Sequence, residues 1–353
     1  MERINWLSNV RVFALVSMVL LHIAAGLLYN FSTSPSFYWW IGNVYDGMVR
    51  CCVPLFVMIT GALLLSKEID LKRFFQKRFM RIVIPFIFWS FVYVLNRVFW
   101  KEETNFLTDL WNSNFWERLV KGDISFHLWY VYMLIGLLFF VPILNKWIRH
   151  CTEKEIVYFL CMWLISLILS HTFIHKDLKL VYFSGYVGYL VLGYYLAHAE
   201  KYRISNLRLK TGGKLLISNK LILGIIIVIA FSTTILGTYF NSVRMNKFDS
   251  LFYEYLMPNV LLAAIGIFLL IKSCTLKNKI VLKIIHFLDR YSYGIYLIHI
   301  LVLTYLWKFL GINAYFIHPS IGIVITTILC VGVSAGIIYA VHKIPFIGKH
   351  ISG

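Results

Sequence analysis

The feature that most constrains this chain is a series of apolar runs, each long enough to cross a bilayer, that recurs from one end of the sequence to the other. The runs fall near residues 12–30, 44–66, 82–100, 127–145, 156–173, 181–199, 221–240, 255–272, 291–310 and 319–341. A transmembrane helix needs about 20 predominantly apolar residues, so the expectation is an all-α, polytopic membrane helix bundle of about ten transmembrane helices. Composition agrees. Apolar residues make up 60% and charged residues 14%, against about 45–50% and about 25% in soluble domains, which leaves too little polar surface to face water all round. The 353 residues leave no room for a separate soluble domain, so residues 1–353 read as one integral membrane domain. The first run exceeds a signal-peptide core and has no small-x-small cleavage site before the next polar stretch, so it reads as a permanent helix.

A formal charge of +18 raises nucleic acid as a partner, but the basic residues sit between apolar runs, the arrangement of membrane topology. With the N-terminus inside, 24 of the 34 Lys and Arg fall on inner segments and nine on outer ones, with Arg50 inside a span. The positive-inside rule then places both termini in the cytoplasm. The six cysteines fall in spans or on the inner side, which implies no disulfide framework, and Cys51–Cys52 lacks a second pair at metal-ligand spacing, so no metal is expected. The longest outer connection, 101–126, contains Trp111 and Trp116 and reads as an interfacial anchor or part of an acceptor-side lid. Lys210-Thr211-Gly212-Gly213-Lys214 lacks the Walker spacing, which argues against a nucleotide triphosphatase.

Ionisable groups inside spans cost at least about 2.5–3.5 kcal/mol each and so call for a partner or a function. Arg11 and His22 lie eleven residues apart on the first span. Eleven steps of about 100° return to nearly the same helix face and rise about 16 Å, which would set an arginine at the inner mouth of a lane and an imidazole about halfway through. The plainer alternative is a snorkelling arginine and a hydrogen-bonded packing histidine. Asp46 and Arg50 form an i,i+4 pair suited to neutralising itself, and Pro54 just beyond favours a bent helix beside a polar space. His299 lies inside an apolar run, whereas His127 stands at an outer boundary where a solvated histidine is unremarkable. The inner loop after the second span carries Lys72, Arg73, Lys77, Arg78 and Arg81. Arg78 and Arg81 share a helix face at i,i+3 and suit a phosphate, so a bound polyphosphate ligand is expected there.

Five pieces in order resemble the acyltransferase-3 family of integral membrane O-acyltransferases. They are Arg11-x10-His22, Pro54-Leu55-Phe56-x3-Thr60-Gly61, Arg78-x2-Arg81, His127-Leu128-Trp129-Tyr130 and Ser292-Tyr293-Gly294-Ile295-Tyr296-Leu297-Ile298-His299. Thr60 replaces the serine usual before the glycine, a conservative departure. The length resembles the stand-alone branch, which lacks a fused extracytoplasmic hydrolase-like domain. The resemblance implies transfer of an acyl group, most often acetyl from cytosolic acetyl-CoA, to a hydroxyl of a surface glycan or lipid-linked sugar on the outer side of a bacterial inner membrane. It casts His22 as general base, or alternatively as an acyl-imidazole carrier. Arg11 would hold an anion at the inner mouth of the same lane, Asp46 is a candidate orienting acid, and Arg50 or Thr60 a candidate donor to the oxyanion. Arg73, Lys77, Arg78 and Arg81 would hold the coenzyme phosphates, and His127, Trp129, Tyr130 and His299 the acceptor. A rival class is a secondary transporter or lipid-linked sugar flippase using His22, Arg50 and His299 as a path, but the second half of the chain has no counterpart to the Pro54 break with its charge pair.

Overall fold

The structure is a computed structural model, described here over residues 5–29, 31, 35–100, 114–171, 185–198 and 219–353. Trp111, the 210–214 segment and the start of the sixth apolar run lie outside the described residues. Among the described residues the regular structure is all helical. Helix α1 is Asn5–Ala24, α2 Phe37–Val49, α3 Cys52–Leu64, α4 Leu71–Phe99 and α5 Asn114–Lys121. Helices α6 (Trp129–His150), α7 (Glu153–His171), α8 (Val187–Ala197) and α9 (Asn219–Met245) follow. The chain closes with α10 (Pro258–Lys272), α11 (Lys279–Leu310), α12 (Pro319–His342) and the short α13 (Gly348–Ile351).

Among the described residues eight helical stretches are long and apolar enough to cross a membrane, α2 and α3 counting as one. The fifth and sixth expected spans are the exceptions. Helix α7 opens with Glu153 and Glu155 in its first turn, and α8 has only 11 residues. Leu221, Ile225, Val228, Ile229 and Leu236 on α9 are exposed, an outward apolar face that water would penalise and lipid would not.

Local chemistry sets the helix ends. The Ser36 side chain accepts from Trp39 N at 3.2 Å and starts α2, seven residues earlier than the expected run. Thr152 and Glu155 form a capping box on α7: Glu155 Oε2 accepts from Thr152 N at 2.7 Å, and Glu155 N donates to Thr152 Oγ1 at 3.4 Å. Pro258 occupies the first turn of α10, where its missing N–H costs nothing. Pro54 does the same for α3. Instead of bending one long helix, it sits in the first turn of a new one, and the interruption falls at Arg50–Cys51. The basic segment after α3 is not a loop: Asp70 Oδ1 accepts from Arg73 N at 2.8 Å, and Lys72 to Arg81 form the opening turns of α4.

The chain divides into two compact units. The first comprises Met1–Lys67, Ile143–Asp289 and Asn313–Ile328, and the second Glu68–Pro142, Arg290–Ile312 and Leu329–Gly353. In the first unit α3 and α8 cross closely enough that a Cβ on Gly61 would stand 1.9 Å from the Leu190 carbonyl oxygen, and one on Gly193 2.1 Å from that of Met58. Lys272 Nζ donates to Leu196 O at 3.0 Å and to Ala197 O at 2.8 Å, closing the C-terminal end of α8 with a cation. In the second unit Tyr293 donates to Ile82 O at 2.8 Å and Trp89 Nε1 to Ile351 O at 2.9 Å, tying α11 and the chain end to α4. Helix α5 buries Phe115 and Leu119 and exposes Trp116 and Val120, the amphipathic character of an interfacial anchor.

Candidate functional site

The singled-out residues divide between the two units. In the first unit α1 begins where Trp6 meets Phe268 edge to face, ring centroids 5.3 Å apart. Arg11 then forms an ion pair with Asp289, and Ser8 Oγ donates to the other carboxylate oxygen at 2.9 Å. Asp289 is 9% exposed and Arg11 25%, so the anion that Arg11 engages is a carboxylate of the chain itself. His22 is half-buried in the last turn of α1. The helical span runs from Asn5 to Leu27, beginning seven residues before the expected apolar run. The cause is the polar start Asn5-Trp6-Leu7-Ser8, which packs and pairs as helix rather than fraying as a flank.

Asp46 and Arg50 pair as expected: Arg50 Nη2 donates to Asp46 Oδ2 at 2.7 Å. Arg50 also lies over Tyr253, its guanidinium carbon 4.2 Å from the ring centroid. Tyr253 in turn donates to Asn43 Oδ1, and Asn43 Nδ2 to Ile235 O at 3.1 Å. A fully buried carboxylate held this way is a structural partner of Arg50. One of its oxygens accepts from Arg50 Nη2, and the other lies 2.5 Å from Arg50 Nε. Thr60 donates to Phe56 O at 2.9 Å, so its single proton is directed at its own helix rather than at a second oxygen.

The second unit holds the other group. His127 is 1% exposed and His299 fully buried, their rings perpendicular with centroids 5.0 Å apart. The expectation of a solvated His127 is thus corrected: the short 3₁₀ turn Phe126–Leu128 that leads into α6 folds the ring inward. Ser125 Oγ lies 2.9 Å from His127 Nδ1 and Tyr93 Oη 3.3 Å from Nε2. Tyr296 donates to the His127 carbonyl, and His299 Nδ1 lies 2.6 Å from the Tyr296 carbonyl. Tyr130 is buried with its ring 5.5 Å from that of Tyr296, whereas Trp129 is 37% exposed and perpendicular to Tyr130. An apolar cavity of about 400 Å³, lined by Trp89, Ile298, Leu301, Val302, Tyr305 and Val333 among others, follows the same stretch of α11. On α4 of this unit Arg73, Lys77, Arg78 and Arg81 are all exposed. Arg73, Lys77 and Arg81 follow i,i+4,i+8 spacing, with Arg78 alongside, at a helix N-terminus whose dipole also favours anions.

Sequence reasoning missed Asp289, Ser125, Tyr93 and Tyr253. Ser125 carried a faint signal, two residues before His127, while the others lie far in sequence from the groups they touch. No cluster of His, Cys, Asp and Glu among the described residues suits a metal ion.

Its long apolar helices define a multi-pass membrane protein. The chain belongs to the acyltransferase-3 family: the profile described as an acyltransferase domain matches residues 4–339. It is a membrane acyltransferase. No curated protein and no solved structure matches it.

Proposed function

We propose that this acyltransferase moves a short acyl group, acetyl above all, from acyl-CoA on the cytoplasmic side to a hydroxyl of a surface glycan or lipid-linked sugar on the outer side of a bacterial inner membrane. Both termini are cytoplasmic in this reading. The observation that carries it is the exposed cationic start of α4, where Arg73, Lys77, Arg78 and Arg81 crowd four positive charges into three helical turns against Glu68 and Asp70. Coenzyme A is a polyanion that cannot enter hydrocarbon, and a wet, cationic helix start is where its phosphates belong.

His22 takes the acceptor hydroxyl proton as general base, a role suited to a neutral imidazole. Arg11 and Ser8, both tied to Asp289, fix the start of the helix that presents it. Trp129, 37% exposed and packed against the buried Tyr130 of the His127–His299 group, offers the acceptor an aromatic surface. Mass spectrometry of surface polysaccharide from cells with and without the chain tests the reading. A chain-dependent acetyl increment on one glycan supports it. Unchanged acetylation with altered glycan export supports a transporter instead.

A further inference from the structure

Ser125 occupies the position where a serine ordinarily caps a helix, immediately before the helical stretch Phe126–His150, yet its side chain makes no capping bond. The hydroxyl is placed instead on His127 Nδ1 at 2.9 Å. The protons along this contact can be assigned from the partners. Tyr93 has one hydroxyl proton and gives it to the Leu297 carbonyl at 3.0 Å, an oxygen that only accepts. At 3.3 Å from His127 Nε2, Tyr93 Oη is therefore the acceptor, so Nε2 carries the ring proton. In a neutral imidazole that leaves Nδ1 as the lone-pair nitrogen, and Ser125 donates to it. The chain is a serine hydroxyl, a base, and a third group that fixes the base's tautomer, the arrangement by which hydroxyl nucleophiles are activated. The ring is held from other sides by Tyr296, which donates to the His127 carbonyl, and by perpendicular contact with His299. The base is 1% exposed while Ser125 is only half-buried, so a reactant reaches the hydroxyl and not the imidazole.

We infer that Ser125 is an acyl-accepting nucleophile for short-chain acyl esters, with His127 as its base and Tyr93 as the residue that positions the base. Ser125 Oγ attacks the ester carbonyl carbon as its proton passes to His127 Nδ1. The bond to the alcohol oxygen breaks, and the alcohol leaves with that proton, leaving O-acyl-Ser125. Water then attacks the acyl carbon, His127 Nδ1 takes its proton, and Ser125 leaves by recovering it. The net change is ester hydrolysis without oxidation or reduction. This activity is independent of acyl-CoA and of His22.

The test uses the full chain in detergent with a fluorophosphonate probe and with p-nitrophenyl acetate. Peptide mass spectrometry should place a single phosphonate adduct on Ser125, and p-nitrophenolate release should fall to background in Ser125→Ala. His127→Gln should slow release about 10²–10⁴-fold. Tyr93→Phe should slow it less and leave the adduct on Ser125. Ser125→Cys should acquire an acetyl thioester that hydroxylamine removes, which guards against a folding artefact in the other variants. Labelling at another residue, or release by folded Ser125→Ala equal to wild type, overturns the inference. Assaying labelled acetyl-CoA with the same Ser125→Ala protein separates the two proposals, since transfer from the coenzyme should persist there.

Discussion

Replacing Gly61 with alanine asks whether α3 and α8 are packed as closely as the geometry says. The added Cβ would stand 1.9 Å from the Leu190 carbonyl oxygen and 2.6 Å from its carbonyl carbon, whereas ordinary contact begins near 3.4 Å. The obstacle is helix backbone, which no rotamer change relieves, so the helices must part by roughly 1.5 Å over the length of the crossing. Overpacking of this kind costs about 2–3 kcal/mol, about 3–4 °C in unfolding temperature for a chain of this size. Gly193→Ala meets the Met58 carbonyl from the other side at 2.1 Å and should cost a similar amount. Gly224 and Gly336 provide the contrast, because nothing lies within 4 Å of their added Cβ. Alanine there should be neutral or stabilise by about 0.5–1 kcal/mol, through the helix entropy that glycine forfeits. Thermal unfolding of the four variants in one detergent, followed by intrinsic fluorescence, reads the difference. Gly61→Ala melting with Gly336→Ala would refute the crossing.

Four further outcomes follow. Arg50→Ala should cost about 3–5 kcal/mol by leaving the Asp46 carboxylate buried without its guanidinium, and a paired Asp46→Leu, Arg50→Met replacement should recover most of the lost yield of folded protein. A double-mutant cycle on Arg11→Ala and Asp289→Ala should show a coupling of about 1–2 kcal/mol in stability; additive effects would mean that the pair contributes nothing. Arg78→Ala and Arg81→Ala should each weaken coenzyme A binding up to about fivefold, about 1 kcal/mol at a wet surface, with the difference shrinking as salt rises. Affinity unchanged in both would leave the cationic turns to topology alone. Tyr93→Phe should cost about 1–3 kcal/mol, since it removes the acceptor of the buried His127 Nε2 proton.

The spans were legible because lipid imposes one strong rule, about 20 apolar residues per crossing, and that rule acts within a contiguous stretch. It fails where a helix outlasts its apolar run. Lys72 to Arg81 read as a loop because exposed cations carry no burial signal, yet Asp70 starts a helix there that continues without interruption into the apolar part of α4. The pause at Arg50–Cys51 was foreshadowed by Pro54, a residue whose backbone effect is local. Asp46 with Arg50 was also readable, four residues apart. Asp289 with Arg11 was not: it stood in a charged inner segment, where one acidic residue among Lys279, Lys283 and Arg290 implies no partner. His127 looked solvated for a similar reason, since its burial is set by Tyr93 and Tyr296, which only tertiary folding brings to it.

The proposed function rests on the imidazole in the last turn of α1, and the direct measurement is transfer of labelled acetyl from acetyl-CoA to a glycan acceptor by purified wild-type and His22→Ala protein of equal thermal stability. Loss of transfer by at least about a hundredfold in the variant, in the range that general-base removal produces, is the predicted result. Acceptor acetylation by His22→Ala at the wild-type rate would contradict the account.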